Sequence, residues 1–299
     1  MLATFDLQRL GEKKDLDELR QALKDSKEFF AKPIEEKILN KYVPSTNAGW
    51  LKIGSEKINQ KSGNTEIKEA LNIRKDRIDS MDSGLIDKFI QQCHRVCLEL
   101  LVAYAACLQI ESKDGDNYFS NRHRYNQPSG DVLRSLYYPA CKQDISRAIR
   151  ADGHSDFGSI TLLFLEKSDP GGLEIVQSGT KDTFIPVNQQ DGCIIVNTGD
   201  LIEYWTGSST IHRVVIPRDP SRPRYSIAYF CHAEDSTNLE KVDSKILRQD
   251  INVIDRSSLS FEDYAATKLY GQPKTAAEHL EMRLKHIHSH EVANGGLDE

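Results

Sequence analysis

The chain has no long hydrophobic run. Across 299 residues the longest uncharged apolar stretch is Leu100 to Leu108, far short of the ~20 residues a membrane-spanning helix needs. The N-terminus, MLATFDLQRLGEKKD, lacks the basic start and apolar segment of a secretory signal. Positive charge is not in excess either. The 39 Lys+Arg face 45 Asp+Glu, for a net charge of −6 and a pI near 5.9, which disfavours nucleic acid as the main partner. The six cysteines (Cys93, Cys97, Cys107, Cys141, Cys193, Cys231) form no ladder of close pairs. Free thiols suit a reducing compartment. Internal repeats and low-complexity tracts are missing as well. With 38% hydrophobic residues and a mean hydropathy of −0.52, the chain is a globular protein rather than a disordered one. Its length allows one large domain or two ordinary ones.

The first half carries helical patterning. Asp15 and Glu18 are spaced as an N-cap and its capping-box partner, followed by Leu16, Leu19, Leu23 and Phe30 at helical intervals. Pro33 opens a second short helical piece. From Ala48 to Arg77, Gly, Asn, Ser and Lys break the pattern, and we read a loop or irregular strands. After Ser83 comes the best helix, of roughly 26 residues or ~39 Å. Leu85, Ile86, Phe89, Ile90, Cys93, Val96, Cys97, Leu100, Leu101 and Tyr104 form its apolar face. Such a helix is expected to back a sheet.

The second half changes period. Val132–Tyr138, Ser159–Leu165, Leu173–Gln177, Thr183–Val187, Cys193–Asn197, Ile211–Ile216 and Tyr225–Cys231 are short, apolar and separated by Gly-, Pro- and Asp-containing turns. Strands of that kind predict a β-sandwich, jelly roll or barrel. Helical character returns over Phe261–Tyr270 and Ala276–His286, before a loose tail SHEVANGGLDE. The fold class is α+β with a mainly β core.

His154-Ser-Asp156 carries the first chemical signal. In an extended segment residues i and i+2 share a face, so one imidazole and one carboxylate converge, two-thirds of the set that suits non-haem Fe(II). Alone it means little, since composition predicts roughly 0.75 such triplets by chance. His212, 58 residues on in another strand, is the candidate third ligand. Arg224-Tyr-Ser226 again puts two groups on one face, and a guanidinium with a hydroxyl grips a carboxylate well. His286, His288 and His290 alternate near the C-terminus and read as a solvated helix end rather than a metal clip.

The joint order of these elements resembles the isopenicillin-N-synthase-like family of Fe(II)- and 2-oxoglutarate-dependent dioxygenases. The resemblance is carried by LRSLYYP (133–139), GHSDFGSITLLF (153–164), GGLEI (171–175), FIPV (184–187), DGCIIVNTGDLIEYWT (191–206), STIHRVV (209–215) and RYSIAYF (224–230). SKEFFAKPIEEK (26–37) is a weaker match. Two departures stand out. The linker RVVIPRDPSRP is slightly long, and Leu136 stands where many relatives have Asn.

The resemblance implies a double-stranded β-helix (jelly roll) flanked by helices. Residues 1–125 would be a helical N-region packed on the core, 126–260 the catalytic core, and 261–299 the C-terminal helices and tail, all one structural domain. It implies iron ligands His154, Asp156 and His212, with Arg224, Ser226 and Tyr138 on the distal carboxylate of 2-oxoglutarate. Fe(II), 2-oxoglutarate and O2, with ascorbate as reductant, would oxidise a small organic substrate by hydroxylation, desaturation or ring closure, giving succinate and CO2. The substrate region would include the Ala48–Arg77 segment, Phe157, Phe230 and the chain after Ser260. A cytoplasmic or nuclear location, a monomer, and no nucleic-acid or membrane partner complete the expectation. The family's opening strand and helix are thin here, so the N-terminus looks about thirty residues short, with an exposed sheet edge as one consequence. Two other readings use the same residues: a metabolite-binding regulator without catalysis, and a cupin-type metalloenzyme without 2-oxoglutarate. The complete ligand set argues against the first and the downstream R-x-S against the second.

Overall fold

The computed structural model describes residues 3–6, 13–56, 65–76, 84–141, 148–178, 180, 183–190, 192–217, 219–249 and 273–294. In chain order the elements are β1 (Ala3–Asp6), α1 (Lys13–Ala31), α2 (Ile34–Lys37), β2 (Gly49–Leu51), β3 (Thr65–Glu66), β4 (Glu69–Arg74), α3 (Gly84–Leu108), β5 (Val132–Tyr138), β6 (Ala148–Ile149), β7 (Ala151–His154) and β8 (Ile160–Leu165). There follow β9 (Leu173–Val176), β10 (Phe184–Pro186), β11 (Cys193–Thr198), α4 (Asp200–Thr206), β12 (His212–Val214), β13 (Arg224–Cys231), α5 (Lys245–Gln249) and α6 (Ala276–Asn294). A seven-stranded antiparallel sheet runs β1-β11-β8-β13-β5-β4-β2, and a four-stranded one runs β10-β9-β12-β7. The two faces enclose a cavity, and the helices lie outside: a jelly roll with helical flanks.

α3 explains the apolar stripe. Phe89, Ile90, Cys93, Cys97, Leu101, Ala105 and Leu108 are buried, spaced three and four apart so that one face meets β8, β13 and α1. Leu85, placed on that face by its spacing, is instead exposed, because the helix has only begun there. The large sheet is therefore two-sided. One face takes α3 and the other takes the cavity. Val132, Arg134, Leu136 and Tyr138 of β5 line the cavity, as do Arg224, Ser226, Ala228 and Phe230 of β13, the period of two that a pleated strand imposes.

Three expectations need correction. α1 begins at Lys13, ahead of Asp15, so Asp15 is inside the helix rather than its cap. The Ala48–Arg77 segment holds β2 and the six-residue β4, which lies inside the large sheet between β2 and β5. Its strand pattern is hidden by polar residues. Glu69 accepts from Lys37 Nζ and Trp50 Nε1, each at 2.8 Å, and Asn72 faces the cavity. The C-terminal helix runs through much of the predicted tail, to Asn294. The helix predicted at Phe261–Tyr270 falls outside the described residues. At the other edge, β1 pairs with β11 from Ala3↔Val196 to Asp6↔Cys193, so the edge of β11 is covered.

Beneath α3 a buried polar cluster is tied to the sheet. Asp131 is 2.9 Å from Lys75 Nζ and 3.5 Å from His94 Nδ1, and it accepts the His232 amide at 2.7 Å. His94 Nε2–H donates to the His123 carbonyl at 2.7 Å. Burial alone would push His94 down, but Asp131 and Cys231 outweigh it, and its pKa is raised to about 10.

This packing makes two predictions. Leu101, fully buried, leaves a cavity when cut to Ala, so Leu101→Ala should lower the urea unfolding free energy by about 2–5 kcal/mol. A raised folded pKa makes a stabilising contribution that is complete below the ordinary histidine range and is lost as pH rises towards 10. Between pH 6.5 and 10 the wild-type urea midpoint should therefore fall more steeply than that of His94→Gln. Parallel profiles would show that His94 does not hold the proton.

Candidate functional site

The four-stranded sheet and the loop after β7 bring the three predicted ligands together. His154 ends β7 and His212 opens β12, and the two are paired residues in adjacent antiparallel strands. Their ring centroids lie 4.4 Å apart. Asp156 follows two residues after His154, and its Oδ1 is 3.8 Å from His154 Nε2 and 3.7 Å from His212 Nε2. One donor atom from each residue falls within 4.8 Å of the others.

Each candidate ligand is locked from behind. His154 Nδ1–H donates to the Asp152 carbonyl at 2.6 Å, and His212 Nδ1–H to the Thr210 carbonyl at 3.2 Å. A carbonyl can only accept, so each Nδ1 carries a proton and Nε2 is the ring atom turned inward, as in metal-binding histidines. Burial, then His212, holds the His154 pKa well below the usual histidine range. Burial would raise the Asp156 pKa, but His212, His154, Asn197 and Thr161 together hold it below the usual carboxylate value. Asp156 Oδ2 accepts from Thr161 Oγ1 at 2.6 Å and Asn197 Nδ2 at 2.7 Å, which leaves Oδ1 for the cavity. Two imidazoles and one carboxylate with the rest of the face open are the donor set that fits iron(II).

The loop that carries Asp156 is pinned to α4. The Asp200 amide donates to the Asp156 carbonyl at 2.8 Å, and Ser155 Oγ donates to Asp200 Oδ1. Asp200 Oδ2 lies 3.2 Å from His279 Nε2 and 3.4 Å from Arg283 Nε, both on α6. Gly199 permits this approach, since a Cβ there would sit 2.6 Å from the Asp156 carbonyl and still closer to that of Gly158. Arg283 also covers the Phe157 ring at 4.3 Å, and Leu280, Leu284 and Ile287 of α6 close one side of the cavity.

Arg224, Ser226 and Tyr138 lie in the same cavity. Arg224 and Tyr138 are register partners on β13 and β5, and the guanidinium carbon is 5.1 Å from the Tyr138 ring centre. Arg224 is 1% exposed. Its Nη1 reaches Ser226 Oγ at 3.4 Å. Its Nε is 2.9 Å from Asp169 Oδ2, an ion pair without hydrogen-bond alignment, and Nη2 has no hydrogen-bond partner among the described residues. A second buried guanidinium, Arg150, flanks the same tyrosine at 5.6 Å. It donates from Nη2 to the Arg222 carbonyl, while Nε and Nη1 have no hydrogen-bond partner among the described residues. Among the described residues, two cations against the single carboxylate of Asp169 leave a positive excess in a dry place, which favours an anion.

Sequence reasoning assigned no role to Thr161, Asn197, Asp200, Asp169 or Arg150. The signal for the first two was present: each is a polar residue on the inward period of an otherwise apolar strand. A second group, His94, Asp131 and Cys231, also brings donor atoms within 4.8 Å of one another, but Lys75 and His94 already balance the Asp131 charge. Cys93 and Cys97 are free and buried.

Residues 129–233 match the model of the 2OG-Fe(II) oxygenase superfamily. The chain is similar to the proline hydroxylase buaE of Petromyces alliaceus, with 33% identity over 69% of this chain and 70% of the relative. It is 29% identical to the 2-oxoglutarate-dependent dioxygenase htyE of Aspergillus rugulosus, over 70% of this chain and 72% of that one. Among solved structures it resembles a full-length Neurospora crassa protein crystallised in complex with alpha-KG and thymine, with TM-score 0.70, 25% identity and coverage of 95% and 87% of the two chains. With the jelly roll and the converging donors already in view, these likenesses show that the chain belongs to the 2OG-Fe(II) oxygenase superfamily and is an iron(II)- and 2-oxoglutarate-dependent oxygenase.

Proposed function

We propose that this oxygenase hydroxylates a small organic molecule held in the cavity between the two sheets. His154, Asp156 and His212 hold the iron, and Arg224, Ser226 and Tyr138 hold the distal carboxylate of 2-oxoglutarate. The observation that carries the reading is the convergence of the two Nε2 atoms and Asp156 Oδ1, each fixed by a hydrogen bond on its far side. Bound iron(II), 2-oxoglutarate and O2 supply the oxidation, with 2-oxoglutarate leaving as succinate and CO2. The protein's own residues do the positioning. Thr161 and Asn197 keep the Asp156 carboxylate turned inward. The Asp152 and Thr210 carbonyls hold the two Nδ1 protons and turn each Nε2 inward. Arg224 neutralises the far end of the cosubstrate, and the apolar walls Leu163, Ile195, Leu280 and Leu284 exclude water.

Hydroxylation is preferred to desaturation or ring closure because the similar protein buaE is named a proline hydroxylase. The cavity is walled mostly by apolar side chains with a few convergent polar groups, as small-ligand sites are. Within the superfamily we place the chain in the isopenicillin-N-synthase-like branch, on the motif stretches that span most of it. No helix among the described residues is long and apolar enough to cross a membrane. The buried free thiols Cys93, Cys97 and Cys231 support work in a reducing compartment.

Anaerobic addition of Fe(II) and then 2-oxoglutarate should give the weak visible charge-transfer band of the chelate. Asp156→Ala should lose both this band and iron-dependent succinate release; a variant that releases succinate at the wild-type rate would sink the ligand assignment. Arg224→Gln should raise the KM for 2-oxoglutarate by roughly 10- to 150-fold, equivalent to about 1.5–3 kcal/mol for a charged hydrogen bond. An unchanged KM would remove Arg224 from the cosubstrate site.

A further inference from the structure

One acceptor on a residue that lines the cavity has no hydrogen-bond partner among the described residues. Asn72 is 3% exposed and lines the cavity from β4. Its Nδ2 donates to Asn47 Oδ1 at 2.9 Å and to the Asn47 carbonyl at 3.3 Å. Tyr42 Oη–H donates to the same Asn47 Oδ1 at 3.0 Å. Turning the Asn72 amide over would set its oxygen against two acceptors, so the orientation is fixed. Its Oδ1 is left buried, with no hydrogen-bond partner among the described residues. A buried carbonyl in that state is destabilising unless something brings it a donor.

The charges around it are already settled. Arg134 Nη2 pairs with Glu56 Oε2. Lys68 Nζ is 2.6 Å from Glu66 Oε2 and 3.7 Å from Glu56 Oε2. In these pairs two cations face two carboxylates, all strongly desolvated. This differs from the Arg224 end of the cavity, where positive charge is in excess. A charged guest would upset a balanced buried network, whereas an uncharged one would not.

Strand register places Asn72 within the reaction chamber. Asn72, Arg134, Ala228 and Leu163 are partners in one row across β4, β5, β13 and β8. On β13 this row lies between Arg224 on one side and Phe230 on the other. Phe230 in turn pairs with Thr161, which holds Asp156. A molecule near the three candidate metal-binding side chains can therefore lean its edge on Asn72.

We propose that the substrate is an uncharged molecule that presents an N–H or O–H to Asn72 Oδ1: an amide, lactam, imide or alcohol rather than a carboxylate or an ammonium. This rests on the oxygenase reading of the cavity. The test is substrate-stimulated succinate release with a matched set of probes. Thymine, 2-pyrrolidinone and succinimide are compared with their N-methylated forms, and with cyclopentylammonium and cyclopentanecarboxylate. At least one N–H probe should stimulate release with a KM ten or more times lower than its N-methyl partner and than both charged probes. In Asn72→Leu that preference should shrink to within about threefold. Equal use of N-methylated or charged probes, stimulation by none of the set, or a preference that survives in Asn72→Leu would each overturn the proposal. If Asn72→Leu does not fold, the wild-type comparison of N–H with N-methyl probes decides alone. The anaerobic charge-transfer band separates the two levels: its absence in the wild type removes the oxygenase reading, while its presence without probe discrimination removes only the role of Asn72.

Discussion

Asp156 gives one carboxylate oxygen to the sheet and keeps the other for the cavity. Thr161 and Asn197 come from β8 and β11, so Oδ2 is held by two strands that are themselves register partners. The backbone of the same residue is held by α4 through Asp200, and Asp200 is held in turn by Ser155 and by His279 and Arg283 of the C-terminal helix. The carboxylate proposed to bind the metal is thus fixed by three separate parts of the chain. Both histidines need only their own strands and one backbone carbonyl each. Asp156 sits in a loop after β7, where backbone pairing gives no support, and so it takes the most side-chain help.

Buried charge separates the two ends of the cavity. At one end, among the described residues, Arg224 and Arg150 flank Tyr138 with only Asp169 to oppose them, and several of their N–H groups have no hydrogen-bond partner. An arrangement like that is unfavourable until an anion arrives, which suits it to the role proposed for it, recognition of the distal carboxylate of 2-oxoglutarate. At the other end Lys68 and Arg134 are matched by Glu66 and Glu56. The same residue types therefore do opposite jobs. An unbalanced set selects an anion, and a balanced set rejects charge while keeping polar walls.

Much of this was legible in the sequence where chemistry and strand period coincide. His154-Ser-Asp156 and Arg224-Tyr-Ser226 were readable because alternation puts i and i+2 on one face, and the structure keeps both pairs in one cavity. The strands from Val132 to Cys231 were readable because their outward period is apolar. β4 was not, since it sets Glu69 against Lys37 and Trp50 on one face and Asn72 in the cavity on the other. Polar residues satisfied by partners about twenty to thirty positions away look like a loop in a one-dimensional pattern. The start of α1 was misplaced for a similar reason: a capping-box spacing exists at Asp15, but the helix starts two residues earlier. Asp200, Asp169 and Arg150 carry no local signal at all, because their roles depend on contacts that only the closed fold makes.

The two-sided sheet also dictates where this chain can change. Its outer face presses Leu133, Leu162, Ile227 and Tyr229 into the core formed with α3, and there any loss of volume costs stability. Its inner face is divided into rows two residues apart along each strand. The rows of Tyr138 with Arg224 and of Leu136 with Ser226 are tied to the proposed cosubstrate grip, and the row of Thr161 and Phe230 to Asp156. The row between them, Asn72 with Arg134 and Ala228, is tied to neither. It can be rewritten without moving the candidate ligands of the metal or the grip on 2-oxoglutarate, provided its buried charges stay matched. A fold that keeps its proposed chemistry on three rows and leaves a fourth for recognition can serve many substrates with one reaction, and in this chain the fourth row carries an acceptor that awaits a donor.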